Sequence, residues 1–82
     1  MKPRERFAIN LRKARKKKGI SQEELGFRCD LHRTEISLLE RGGREPRMGT
    51  IAKLAGSLDA TPEQLFEGVR WLPDKGKFQI KK

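Results

Sequence analysis

Apolar residues recur at helical spacing in short segments, and each segment ends at a glycine or in a polar loop. In residues 4–18, Phe7, Leu11 and Ala14 form an apolar stripe among arginines and lysines, which predicts an amphipathic helix. Gly19 predicts its end, because glycine readily adopts the left-handed conformation that closes a helix. A chain of 82 residues built in this way forms a small helical fold with a modest core.

Two short helices separated by a tight turn are predicted next. Ser21, with Glu24 three residues later, has the pattern of a capping box that starts the second helix. Asp30 is the expected turn residue, because aspartate tolerates the left-handed conformation. The third helix is predicted over residues 32–40 and ends before Gly42. Such a pair, with the second helix polar at its start, is typical of a helix-turn-helix.

Two more helices are predicted after a polar loop. The fourth covers residues 49–58, where the apolar side chains share one helical face. Thr61 is followed by Pro62 and then by Gln64, which is the pattern of an N-cap, a first-turn proline and a capping-box partner. This pattern predicts a short fifth helix.

The end of the chain changes character and predicts a β-hairpin. Two apolar segments flank a Pro-Asp-Lys-Gly turn at residues 73–76. The register of this turn sets Trp71 opposite Phe78 and Val69 opposite Ile80, on one face. A lone hairpin is marginal in water, so this one must dock on the helices or on a partner.

Composition narrows the function. The net charge of +9 makes nucleic acid and anionic membranes the leading partners, although a solvated basic face explains the cluster in residues 12–18 equally well. No apolar run is long enough to span a membrane. A single cysteine, Cys29, and a single histidine, His32, leave no metal site, and no catalytic set can be assembled. We therefore expect a cytoplasmic binding protein that is not an enzyme and has no cofactor.

The segment from Ser21 to Gly42, SQEELGFRCDLHRTEISLLERG, resembles the lambda-repressor-like, or Xre-type, DNA-binding domains of bacteria and phages. The resemblance extends over residues 4–67 in one ungapped register, with LRKARKKKGIS before this segment and EPRMGTIAKLAGSLDATPEQLF after it. It implies an all-α fold of five helices, to which this chain adds a short C-terminal β-hairpin. We expect residues 1–68 to form the DNA-binding domain and residues 69–82 to form a dimerisation extension.

The resemblance also implies a function. The chain is expected to bind double-stranded DNA sequence-specifically as a homodimeric transcriptional regulator, typically a repressor, without a membrane or small-molecule partner. The helix around residues 32–40 is expected to read the major groove. The DNA-binding residues carried over from the family are Gln22, His32, Arg33, Thr34, Ser37, Leu38, Arg41 and Arg47.

Their expected roles differ. Gln22 should bond a phosphate and support the recognition helix, while Arg33 and Thr34 should reach base edges. Ser37 and Leu38 should face the groove one turn later. Arg41 and Arg47 should contact the flanking backbone. His32 itself is expected to be a helix cap or a phosphate neighbour.

Other family positions are structural. Arg15 and Glu40 match an ion pair that joins the first and third helices, and Gly26 matches the position where the two motif helices touch. The remaining matches are core positions: Leu25, Cys29, Leu31, Ile36 and Leu39.

Several roles stay open at this point. Glu35 lies on the DNA-facing helix and either accepts from a cytosine amino group or holds Arg33 in place, and we favour the second role. Leu38 contacts a thymine methyl or is simply part-exposed. Phe27 is a surface residue or packs on the first helix. The hairpin either forms a dimer contact or folds back over its own helices.

Two other function classes compete with DNA reading. One is an antitoxin or interaction module whose main partner is a protein. The other is RNA or general polyanion binding, which predicts aromatic stacking platforms. Most of the five aromatic residues lie instead at apolar positions of the periodic pattern, and Phe27 is the exception.

Overall fold

The computed structural model describes the whole chain, from Met1 to Lys82, as five helices followed by a two-stranded antiparallel hairpin. The elements are α1 (Pro3–Lys18), α2 (Gln22–Cys29), α3 (Arg33–Glu40), α4 (Met48–Ser57), α5 (Pro62–Leu65), β1 (Val69–Leu72) and β2 (Lys77–Ile80). The predicted all-α fold with a C-terminal hairpin is confirmed. The hairpin begins at the predicted boundary, whereas its role as a separate unit stays a prediction.

The core is one cluster to which all five helices contribute. Its ten buried members are Phe7, Leu11, Leu25, Cys29, Ile36, Leu39, Leu54, Ala55, Leu58 and Leu65. Four of the five predicted motif core positions are in this cluster, and Leu31 packs against its edge half-buried. Cys29 is a buried free thiol that donates to Ser57 Oγ at 3.3 Å, in keeping with the small-hydrophobe interpretation.

The helix ends follow the local signals with one exception. Gly19 and Asp30 take left-handed backbone angles, with φ of 78° and 58°. Ser21 Oγ accepts from the Glu24 N–H at 3.0 Å, but the Glu24 carboxylate accepts from Arg28 Nε at 2.8 Å instead of turning back to Ser21. The predicted capping box of α2 is therefore only half formed, because a cation four residues on competes for the carboxylate.

The hairpin has the predicted register, with Trp71 opposite Phe78 and Val69 opposite Ile80. The rings of Trp71 and Phe78 meet edge to face, with centroids 5.0 Å apart. Val69 and Ile80 are half-buried, and β2 lies against α1. Trp71 and Phe78 remain 52% and 48% exposed. The apolar face of the hairpin is thus left partly open at its tip.

A sheltered ion pair joins α1 to α3, as predicted. Arg15 Nε lies 2.5 Å from Glu40 Oε2, and Arg15 Nη2 lies 2.9 Å from Glu40 Oε1. Arg15 Nη1 also donates to the carbonyl of Ile20 at 2.9 Å, and Gln22 Nε2 donates to Glu40 Oε1 at 3.1 Å. The hydrogen bonds that Arg15 donates to Glu40 raise the pKa of Arg15 above its ordinary value, although burial acts in the opposite direction. One carboxylate therefore connects three helices.

We expect Glu40→Gln to lower the free energy of unfolding by about 3–5 kcal/mol, because it leaves a sheltered guanidinium without its counter-charge. The side chains of Arg15 and Glu40 are only 11% and 3% exposed. Urea denaturation measures the change. Glu24→Gln is the matched control, since it breaks an exposed pair of the kind that contributes about 0–1 kcal/mol. Equal effects of the two substitutions would contradict this assignment.

Candidate nucleic-acid interface

The turn between α2 and α3 is built around Gly26. A Cβ atom at Gly26 would lie 2.6 Å from the carbonyl oxygen of Leu31 and 3.3 Å from the backbone nitrogen of Arg33. The Leu31 N–H donates to the Gly26 carbonyl at 2.8 Å. Only a hydrogen atom fits between these two backbones, so the predicted contact role of Gly26 is confirmed. It sets how closely the first turn of α3 approaches α2.

Gly26→Ala should destabilise the fold and shift α3, because the new methyl group meets backbone atoms that cannot turn aside. Gly56→Ala is the control: Gly56 also lies within a helix, but a Cβ there meets nothing within 4 Å. The control should stabilise the chain by about 0.4–1 kcal/mol. Thermal melts of both variants test the pair. A melting temperature raised by both substitutions would show that the α2–α3 contact is loose.

The start of α3 is capped by the histidine that precedes it. His32 Nδ1 accepts from the backbone N–H of Thr34 at 3.0 Å, which confirms the cap role, whereas its role as a phosphate neighbour stays a prediction. A neutral ring that accepts through Nδ1 carries its proton on Nε2. His32, Arg33 and Thr34 are all exposed, and Arg33 forms no salt bridge. Three donors therefore project from one helix end into solvent.

The next turn of α3 is less open. Ser37 and Leu38 are half-buried, and the Leu38 side chain covers the backbone of Gly43, where a Cβ would lie 2.6 Å from Leu38 Cδ1. Leu38 is therefore part-exposed, and its contact with a thymine methyl stays a prediction. Arg41 is exposed and bends back to donate from Nε to the carbonyl of Ser37 at 3.3 Å.

Gln22 and Arg47 flank α3. Gln22 is half-buried at the first residue of α2, where its amide supports the end of α3 through Glu40. The predicted supporting role is confirmed, and its phosphate contact stays a prediction. Arg47 is exposed at the N-cap of α4. Seven of the eight predicted residues thus belong to the helix-turn-helix itself, and Arg47 lies at the end of the loop that follows it.

The favoured role of Glu35 is wrong. Its Oε1 atom lies 2.6 Å from Nη1 of Arg44, and Arg33 is not its partner. Residues two apart on a helix project to different sides, so Arg33 and Glu35 do not face each other. The Gly42–Arg47 loop carries Arg44 to the side of α3 on which Glu35 lies. Sequence reasoning missed Arg44, because its position in an irregular loop follows no periodic pattern.

Phe27, the other open position, is a surface residue at 82% exposure.

The chain also has no helix that combines the length and apolarity needed to span a bilayer. No cluster of potential metal ligands occurs in the structure.

A family model described as helix-turn-helix matches residues 11–65. The chain belongs to the helix-turn-helix family. It is similar to the control protein C.BamHI of Bacillus amyloliquefaciens, at 45% identity over 51 residues, which cover 62% of this chain and 63% of that protein. The family comprises DNA-binding transcription regulators. The hairpin lies outside the matched residues.

Solved structures show the same fold. The restriction-modification controller protein C.AhdI from Aeromonas hydrophila is 41% identical, with a TM-score of 0.75, over 77% of this chain and 96% of that one. The P22 c2 repressor, solved in complex with a synthetic operator, is 31% identical, with a TM-score of 0.71, over 76% of this chain and 94% of that one. Among the curated relatives, the chain spans only 38% to 63% of the length of four that it matches.

Proposed function

We propose that the chain recognises a specific double-stranded DNA sequence and regulates transcription, with α3 in the major groove. The observation that carries this proposal is the asymmetry of α3. Its last residue, Glu40, is held by Arg15 and Gln22, whereas the side chains of its first two residues, Arg33 and Thr34, are exposed and have no partner within the protein. A helix that recognises bases has to be held firmly on the side that packs against the protein, and its DNA-facing side chains have to be free to donate hydrogen bonds.

The side chains at the front suit base recognition. The guanidinium of Arg33 presents two parallel donors that match O6 and N7 of guanine, and Thr34 offers a hydroxyl beside it. Ser37 and Leu38 would face the groove one turn later. Gln22, Arg41 and Arg47 would contact phosphates, which fix the register of the protein on DNA without reading sequence.

Within this function, the relatives favour a repressor-type regulator of a restriction-modification locus. Support comes from the similarity to C.BamHI and from the coverage of almost all of C.AhdI. Such a protein needs no catalytic residues of its own. Selection of bound fragments from genomic DNA of the host tests this role, since enriched fragments should lie upstream of restriction or modification genes.

We expect Arg33→Ala to cost about 1–3 kcal/mol at the preferred site and to relax the preference at one or two base pairs. Selection from random DNA with wild-type protein first defines that site. Lys53→Ala is the control, because Lys53 is an exposed cation on α4, outside the motif. It should leave base preference unchanged. A uniform loss of affinity on all sequences by Arg33→Ala would make Arg33 a phosphate contact.

The active species is proposed to be a homodimer. The helix-turn-helix exposes a single aromatic side chain, Phe27, whereas the C-terminal part has three, Phe66, Trp71 and Phe78, at 38%, 52% and 48% exposure. A partly exposed apolar surface on one molecule suits an isologous contact with a second copy. Two recognition helices related by a two-fold axis would read half-sites about 34 Å apart or a multiple of it.

Sedimentation tests the dimer. Wild-type protein should sediment as a dimer at about tens of micromolar, and Trp71→Ser/Phe78→Ser should shift it to monomer, because the substitutions remove the apolar contact. Phe27→Ser is the control, since it removes a more exposed aromatic ring from α2. The surface is misassigned if the control dissociates equally or if wild-type protein is monomeric. A monomer that captures a protein partner through Trp71 would favour the interaction-module alternative.

A further inference from the structure

Most of the positive charge of the chain lies outside α2 and α3. Residues 21–41, which include both motif helices, carry three arginines or lysines against five acidic residues. Residues 1–20 carry nine basic residues and one acidic residue, and residues 69–82 carry five basic residues and one acidic residue. The electrostatic excess of this protein is therefore concentrated on α1 and the C-terminal segment, and α3 does not account for it.

The basic residues of α1 point to two sides of the helix. Arg15 faces α3 through Glu40. Asn10, on the other side, donates from Nδ2 to the carbonyl oxygens of Leu65 and Glu67 at 2.9 and 2.8 Å. The five-residue step from Asn10 to Arg15 turns about 140° around the axis.

Three cations share the side of Asn10. Arg6, Lys13 and Lys17 are spaced from it by four, three and seven residues, which is the spacing of one helical stripe. Arg6 Nε donates to the Glu67 carbonyl at 3.2 Å, which confirms the direction of the stripe. These cations consequently face α5 and the end of β2, and they lie on a different side of α1 from the Arg15–Glu40 ion pair.

An open cleft of about 720 Å³ lies along this stripe. Six basic residues line the cleft, against the two acidic residues Asp59 and Glu67, so that its formal charge is +4. The basic residues are Arg6, Lys13, Lys17, Lys18, Lys81 and Lys82. We call this feature the α1 cleft.

Internal pairing neutralises little of that charge. Lys18 pairs with Asp59, and this hydrogen bond holds the pKa of Asp59 below its ordinary value, so the pair stays ionised. Lys13 and Lys17 form no salt bridge, nor do Lys81 and Lys82 at the other end of the cleft. Four lysine ammonium groups therefore line the α1 cleft without an acidic partner in the protein.

We propose that the α1 cleft binds the phosphate backbone of a second DNA duplex, in addition to the duplex read by α3. This inference rests on the proposed function, because a chain that reads DNA with α3 meets other duplex segments at high local concentration. Lysine ammonium groups are point charges that suit phosphates without selecting bases. No aromatic side chain lines the cleft, which disfavours stacking of single-stranded bases.

The position of the cleft makes the second site independent of the first. A duplex lying against α3 approaches the side of the molecule where α3 is exposed, whereas the stripe of Arg6, Lys13 and Lys17 faces α5 and β2. One chain would thus hold two DNA segments together, the first by sequence and the second by charge.

The test is the number of duplexes bound by the intact chain. A mixed-sequence duplex of about one helical turn is titrated at low salt and followed by sedimentation. Wild-type protein should bind two duplexes per chain, and Lys13→Gln/Lys17→Gln should bind one. Any residual binding of the second duplex by this variant should have a salt slope smaller by about two than in the wild-type protein, since each lysine contacts a phosphate. The charge-matched control Lys53→Gln/Lys75→Gln, outside the cleft, should still bind two.

A third variant separates this proposal from the proposed function. Arg33→Ala/Arg41→Ala should retain only the cleft duplex. If wild-type protein binds one duplex and this variant binds none, the cleft proposal fails and the function stands. If instead the cleft variant alone abolishes a single duplex, the function fails. Equal losses in the cleft variant and its control also overturn the proposal. Binding of poly-glutamate with no second duplex would assign the cleft to an acidic protein.

Discussion

The carboxylate of Glu40 is the contact on which the placement of α3 depends. It accepts two hydrogen bonds from Arg15 on α1 and one from Gln22 on α2. A charge this sheltered cannot shift without losing partners that water would have to replace, so its position is sharply defined. With a core of only ten residues, apolar packing alone leaves considerable freedom of orientation. The hydrogen bonds to Glu40 remove this freedom of orientation at the C-terminal end of α3.

Gly26 defines the position of the N-terminal end of α3. The carbonyl of Leu31 and the backbone of Arg33 occupy the space where any side chain would lie, so the α2–α3 distance is set by backbone contact. These two constraints hold α3, a helix of eight residues, at both of its ends. Its free surface is the first turn, where His32 satisfies the backbone and leaves Arg33 uncommitted.

The sequence predicted local features better than contacts between distant segments. Gly19, Asp30 and the hairpin turn were correct because each depends on a few adjacent residues and their backbone preferences. The Arg15–Glu40 pair spans 25 residues and has no local signal, so it came only from resemblance to a family. Glu35 was assigned to the nearest cation along the chain, whereas the fold supplied Arg44 from a loop.

Surfaces were the least predictable part. Periodicity showed that Trp71 and Phe78 share a face, but only the fold shows that the chain leaves about half of each ring uncovered. Likewise, the helical spacing of Arg6, Lys13 and Lys17 is visible in the sequence, while the direction of that stripe follows from the bonds of Asn10 to α5. The exposed residues Arg33 and Thr34 lie where the family pattern placed them, since the caps and the turn define that end of α3.

The Glu35–Arg44 pair changes how the α3 face would respond to ionic strength. A free arginine near DNA draws affinity from releasing condensed cations when it meets a phosphate. Arg44 already has an anion, and that anion is part of the protein. With DNA bound, Glu35 would therefore act as an internal counter-ion of Arg44 and would weaken the attraction to arbitrary sequences. A larger share of the affinity would then come from the bases themselves, which would widen the gap between the correct site and the rest of the genome.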